Sequence, residues 1–358
     1  MGRSRGPRRS GSPSSPVAGA RSRDAGRIRL SALLAGALVA AAAAPTAAAT
    51  ARDQLCSAGA RKPARDPRIH EAVRLARQQH ALFGAQWIDR RGRLAAVGYH
   101  EAEFDRLPSE TVPTWERVAG FWHSLGPELP PSFRSPDGST VRLAPLREWL
   151  GRREAPSPGG SFDEPQRRAI DSALLRTALV DQPWSAVFIS FLLKSSGFTA
   201  AEFAFSDTHA DYVDQAVLAT AAETKGESTA AAYRACDLAS TPPRAGDLVC
   251  HTREGAAAVR RLGPLAERLA LRRVQPAGNG LPMHCDLVTR ADAGGDAKLE
   301  AIGGNVVQSV TLRQLALDAG KRLSRTHFDP GQGPGCERAP CPQDLNRKPW
   351  VVLLQFRL

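Results

Sequence analysis

Three residues have the side chains that acyl transfer needs, and each stands at the edge of an element. Ser185 opens the apolar run in QPWSAVFISFLLKSSGF (182–198), His284 begins HCDLV, and Asn305 closes IGGN. A hydroxyl at a helix N-terminus sits where backbone N–H groups favour developing negative charge. A nearby imidazole takes its proton and later returns it to the leaving group, and a third polar group fixes that ring's tautomer. On this reading Ser185 attacks, His284 is the base and Asn305 orients it. Each residue also has a plainer use: Ser185 as a helix-start serine bonding a backbone N–H, His284 as a strand-end histidine bonded to a neighbour, and Asn305 as a turn residue that tolerates left-handed backbone.

Other residues gather around these three. SDTHADY puts His209, Asp211 and Tyr212 at a helix start, where with Trp184 they would supply substrate contacts or a proton. The alternative is a capped helix, with Asp207 or Ser206 as the cap. Cys285 is a candidate thiol beside His284, but successive strand side chains point to opposite faces, which suits a disulfide better. His251 has no partner that the sequence names.

Spacing supplies the elements that would hold these groups. Residues 66–83 and 113–125 read as helices, the first with Pro67 in its first turn. Residues 86–99 read as two short extended pieces around Arg91-Gly92. Asp163 and Pro165 open a helix to about Val180. The run after Pro183 is apolar nearly all round, which places it at the centre of a fold, and residues 209–222 read as a further helix. After Pro242-Pro243 the period changes to strands in GDLVCHTR, MHCDLVTR, LEAIGGNVVQSVTL and WVVLLQFRL, with a basic Pro/Gly-containing insertion at 256–281. Helices first and sequential strands afterwards make the class α+β, with an antiparallel sheet rather than a doubly wound one.

Composition narrows the partners. Apolar residues make up 42% of 358 residues, enough for a sizeable core, and the formal charge is +12. Residues 1–51 hold eight Arg and one acid, so +7 of that charge lies in the first segment. No basic run with interleaved aromatics follows, which argues against a nucleic-acid partner. Arg27 and Arg29, the apolar run Leu30–Ala44 and the small residues Ala47–Ala49 have the pattern of a secretory signal peptide. An uncleaved anchor is the alternative, though the run is short for a stable membrane span. An exported chain meets an oxidising compartment, so the six cysteines favour disulfides over metal, with ~15 possible pairings. Cys336 and Cys341 bracket a local turn, and Cys250 and Cys285 lie in two strand-type runs. A zinc site of Cys336, Cys341 and His327 lacks a second paired motif, so neither metal nor cofactor is expected.

WSAVFISFLLKSSGF, PRAGDLVC, HCDLV and IGGNVVQSVTL, in this order, resemble CHAP-type amidohydrolase/peptidase domains over residues 165–358. The wider run 66–358, with HALFGAQWID, TWERVAGFW, PWSAVFIS, SDTHADYV, GDLVC and HCDLV, resembles an uncharacterised bacterial family of unknown function. The CHAP resemblance implies a papain-like fold, helices packed on a sheet or half-barrel, exported to the periplasm or cell envelope to cleave amide bonds of peptidoglycan peptides. It assigns the nucleophile, base and orienting positions to Ser185, His284 and Asn305. The chain departs from it in having Ser where those domains have Cys, and a hydroxyl needs a better-aligned base than a thiol. A domain without catalysis, binding muropeptides or an envelope partner, is the alternative that this departure implies. The expected organisation is a signal peptide at 1–51, a helical region and linker at 52–160, and a CHAP-like α+β domain at 161–358.

Overall fold

The structure, a computed structural model, describes residues 43–126, 132–134, 140–142, 163–253, 256, 258–329 and 344–357. Of the expected signal peptide only residues 43–51 are among them, as the first turns of a helix, and Cys336 and Cys341 lie outside. Seven helices are described: α1 Ala43–Ala60, α2 Pro67–Leu82, α3 Thr114–Ser124, α4 Glu164–Asp181, α5 Ser185–Ser195, α6 His209–Thr224 and α7 Leu262–Val274. The strands are β1 Trp87–Ile88, β2 Leu94–Ala96, β3 Ser132–Arg134, β4 Thr140–Arg142, β5 Tyr233–Asp237, β6 Leu248–Thr252, β7 Met283–Ala291, β8 Lys298–Val306, β9 Ser309–Ala316 and β10 Trp350–Phe356.

The class is α+β. Eight strands form one sheet in the order β2-β1-β9-β8-β7-β6-β10-β5, and β3 and β4 pair separately. The expectation of a wholly antiparallel sheet needs one correction: β1 runs parallel to β9, with Trp87 opposite Leu312. The two extended pieces around Gly92 add themselves to the sheet's edge, and a pairing between segments so distant in sequence leaves no local signal. β5 and α7 were also not legible: β5 is five residues long, and α7 lies inside what reads as a basic insertion.

Helix α5 carries the site, and all but its last turn is turned away from water. Ala186, Val187, Phe188, Ile189, Leu192 and Leu193 are all buried, and the helix packs against α2, α3, β7 and β8. Burying each large side chain contributes roughly 1.5–3 kcal/mol, so α5 is held by packing on every side. Phe121 meets Trp184, Phe188 and Phe191 at centroid separations of 5.8, 5.4 and 4.7 Å. Ile69, Ala76, Phe83, Val118 and Trp122 belong to the same core, so α2 and α3 help to fix where α5 begins.

On the sheet side two glycines let the helix and the strands approach. A Cβ on Gly304 would lie 2.5 Å from Phe188 Cβ, and one on Gly303 would lie 1.8 Å from Asp286 Oδ1. Asn305 follows with φ 53°, and the β8–β9 turn, Val307-Gln308, has φ of 50° and 59°. Both turn residues take the left-handed backbone that two-residue hairpins require, without the Asn-Gly that would have announced it. The long run IGGNVVQSVTL is therefore a hairpin rather than one strand.

Two disulfides close the described part of the chain, Cys56–Cys236 and Cys250–Cys285. The second joins residues directly opposite on β6 and β7. Among the described residues no helix is long and apolar enough to cross a membrane.

Candidate functional site

Pro183 and Trp184 turn the chain into α5, and Ser185 is its first residue, 2% exposed. Its hydroxyl does not bond a backbone N–H; it meets His209 Nε2 at 2.7 Å. His209 is in turn the first residue of α6, so the two helix starts face each other. Helix α6 has no side-chain bond at its cap residue Thr208; Ser206 Oγ accepts from the Thr208 N–H at 3.0 Å instead. The Tyr212 hydroxyl, one turn on, bonds His209 Nδ1. Serine, imidazole and phenol thus form a single chain. It has two proton arrangements: Ser185 donating to Nε2 while Nδ1–H donates to Tyr212, or Tyr212 donating to Nδ1 while Nε2–H donates to Ser185. Only the first leaves the imidazole ready to take the serine's proton.

Strand alternation sorts the next residues. Cys250 and Cys285 enter the core beneath α5, while His251, His284 and Asp286 take the other face of β6 and β7. The His284 ring still lies 5.2 Å from that of His209 and 5.3 Å from that of His251, centroid to centroid. His284 Nε2 bonds Asp286 Oδ1 at 2.7 Å, and Arg253 Nη2 bonds Nδ1 at 2.9 Å. Because a guanidinium only donates, Nδ1 is the acceptor and the proton sits on Nε2, donated to Asp286. Asp286 also accepts from Arg313 Nε at 3.1 Å. His284 is therefore a clamped, neutral ring whose one lone pair already faces Arg253.

Electrostatics agree with that proton placement. Burial, then the facing His284 and Arg253, push His209 well below the usual histidine range. Burial and His284 do the same to His251. Burial lowers His284 too, against the pull of Asp286. For Asp286 burial works upward, yet His284 and Arg313 outweigh it and hold the carboxyl below its ordinary value.

The remaining residues singled out by the sequence fall into different surroundings. Trp184 is completely buried, and its indole N–H donates to Glu101 Oε2 at 2.7 Å. It shows no face to a substrate. Asn305 donates through its amide to Glu101 Oε2 at 3.1 Å, and its amide oxygen accepts from the backbone N–H of Trp184 at 3.3 Å. It braces the start of α5, while Asp286 is the group that orients His284. Asp211 turns outward to Arg272 at 2.6 Å. Asp286, Arg253, Arg313 and Glu101 were missed. Of these, Asp286 alone had a sequence signal: in His-x-Asp on a strand the two side chains share a face.

An open space lies beside His284. A cavity of about 610 Å³ is lined by His251, Arg253, His284, Asn305, Arg313 and Lys348, among others, and neither Ser185 nor His209 reaches its wall. Among the described residues no group of three His, Cys, Asp or Glu is placed to hold a metal ion.

Fold and site together define an α+β protein with a buried Ser–His–Tyr chain and, next to it, an open cavity walled by histidine and arginine. The chain belongs to the family DUF2272, described as an uncharacterized protein conserved in bacteria, whose model matches residues 147–356. No curated protein and no solved structure matches it.

Proposed function

We propose that this chain is an exported cell-envelope protein with a CHAP-like, papain-related framework that binds peptidoglycan peptides in the cavity beside His284 without cleaving them. One observation carries the reading: Ser185, at the nucleophile position, is bonded to His209 and does not line the cavity, while His284, which does, has both ring nitrogens occupied. A nucleophile must reach the reacting carbonyl to within about 3–3.5 Å, and a base must have a free lone pair. Export is supported by the signal-type N-terminus and by the two disulfides. The protein is expected to sediment with purified peptidoglycan; protein that stays wholly in the supernatant contradicts the reading.

A second reading has its own observation. The 2.7 Å contact between Ser185 Oγ and His209 Nε2 is hydrogen-bond geometry for a serine and its base, with Tyr212 on the ring's far nitrogen. On this reading the chain is an amide hydrolase whose base is His209 rather than His284, and substrate entry must first open the start of α5. Release of soluble fragments from peptidoglycan, lost in Ser185→Ala, would favour it.

A further inference from the structure

The cavity beside His284 gathers cationic side chains with few carboxylates to match them. Several partly buried arginines elsewhere meet carboxylates: Arg234 and Arg357 share Glu223 at 3.1 and 3.0 Å, Arg244 meets Asp247 at 3.1 Å, and Arg68 meets Asp66 and Glu202 at 2.7 and 2.9 Å. Among the described residues the cavity is walled by four cationic residues, Arg253, Arg313, Arg347 and Lys348, and one acid, Asp329. That acid lies 3.6 Å from Arg260. Arg313 is matched by Asp286, but Asp286 has its other oxygen on His284.

The other three cations have no such match. Arg253 donates to His284 Nδ1, an acceptor without charge. Neither Arg347 nor Lys348 forms an ion pair with a carboxylate among the described residues. Lys348 is nevertheless half-buried, and burial and the facing Arg313, against the pull of Asp286, lower its ammonium from the usual lysine value. Burial also lowers the Arg253 guanidinium. Arg347 is exposed, but Arg253 and Lys348 are half-buried, and like charges drawn out of water destabilise one another and the fold that holds them. An anion with several acceptor oxygens reverses that: it supplies the missing charge and takes strong, directed bonds from guanidinium and ammonium donors.

We propose that this cavity binds a small ligand through an oxyanion, a carboxylate or a phosphate, held by Arg253, Arg347 and Lys348 beside the neutral His284. The volume, about 610 Å³, is within the range of small-molecule sites, roughly 300–1,000 Å³, so the oxyanion is one end of a ligand of dipeptide or sugar-phosphate size. The proposal names the ligand chemistry of the cavity invoked above but stands on its charges alone. Peptidoglycan held through another surface would leave the binding reading intact and sink this one.

Titration calorimetry on the full chain, with acetyl-D-Ala-D-Ala, its C-terminal amide and inorganic phosphate as probes, tests it. At least one of the two anions is expected to bind, with the amide at least tenfold weaker than the acid where the acid binds. Carboxylate binding alone identifies a peptide-type ligand, and phosphate binding alone a phosphorylated one; both support the site. Arg253→Met and Lys348→Met are each expected to weaken the bound anion at least tenfold. Because Arg253→Met also removes a bond to His284, the second variant is the control for folding: Lys348→Met breaks no ion pair, and without ligand it should melt at or above wild type. Absence of binding by both anions, an amide that binds as well as the acid, affinity unchanged in both variants, or a Lys348→Met protein melting well below wild type each overturns the proposal.

Discussion

His209, His251 and His284 each lie below the usual histidine range, chiefly because they are buried. In the unfolded chain they take up protons near pH ~6.5; folded, they do so only at lower pH. The unfolded state therefore binds more protons in that window, and stability, complete above it, falls as the pH drops through it. Asp286, depressed by His284 and Arg313, adds a loss of the same sign below its unfolded value of ~3.9. Thermal melts from pH 7.5 to 4.5 should show the midpoint falling steadily, and His251→Gln should reduce the slope by up to about 1.4 kcal/mol per pH unit. A midpoint indifferent to pH would mean that these rings are charged or solvated. Burial also governs Ser185: the thiol of Ser185→Cys should be inert to Ellman's reagent in the native protein and react once it is unfolded, relative to wild type measured alike. Rapid native reaction would place residue 185 at an open cleft. Ser185 and His284 were legible as a pair of chemical groups, and so was the neighbourhood of His209. The pairing within them was not, because which imidazole reaches the hydroxyl depends on how α5, α6 and β7 meet.

The elements that present these residues are stapled from outside the core. Helix α1 is tied to β5 through Cys56–Cys236, 180 residues apart in sequence. Gln355 Nε2 donates to the Cys56 carbonyl at 2.9 Å and Arg244 to that of Gly59 at 2.7 Å. Closing so long a loop constrains the unfolded chain, so Cys56→Ser with Cys236→Ser should cost about 2–5 kcal/mol, seen as a lower denaturation midpoint; an unchanged midpoint would mean that α1 contributes nothing beyond its hydrogen bonds. Helix α2 was readable from Pro67 and its apolar spacing, α4 from Asp163 with Pro165, and α5 from Pro183 and its apolar run; Asp66 and Asp163 each bond a first-turn N–H. Strands β6, β7 and β10 were readable from β-type runs. The parallel β1–β9 pair, the brief β5 and the β8–β9 turn built on Val307-Gln308 were not, since each is imposed by tertiary packing over weak local preference.

At the scale of the molecule, the +12 net charge is misleading until it is located. Most of it lies in residues 1–51, and in the folded part Arg253, Arg347 and Lys348 stand together at one cavity. The family match over 147–356 takes in Ser185, His209, Arg253, His284, Asp286 and Lys348, and the α2 and α3 residues Ile69, Phe83 and Trp122 pack in the same core as α5. The proposed binding role rests on an apolar helix whose first hydroxyl bonds an imidazole, beside a positively charged cavity. The most direct measurement is a single incubation of the purified protein with peptidoglycan, reading pelleted protein and soluble fragments together, for wild type and Ser185→Ala. Binding without cleavage predicts that both proteins pellet equally and that neither releases fragments above a protein-free control. Fragment release by wild type that disappears in Ser185→Ala would contradict it and make this chain a serine hydrolase.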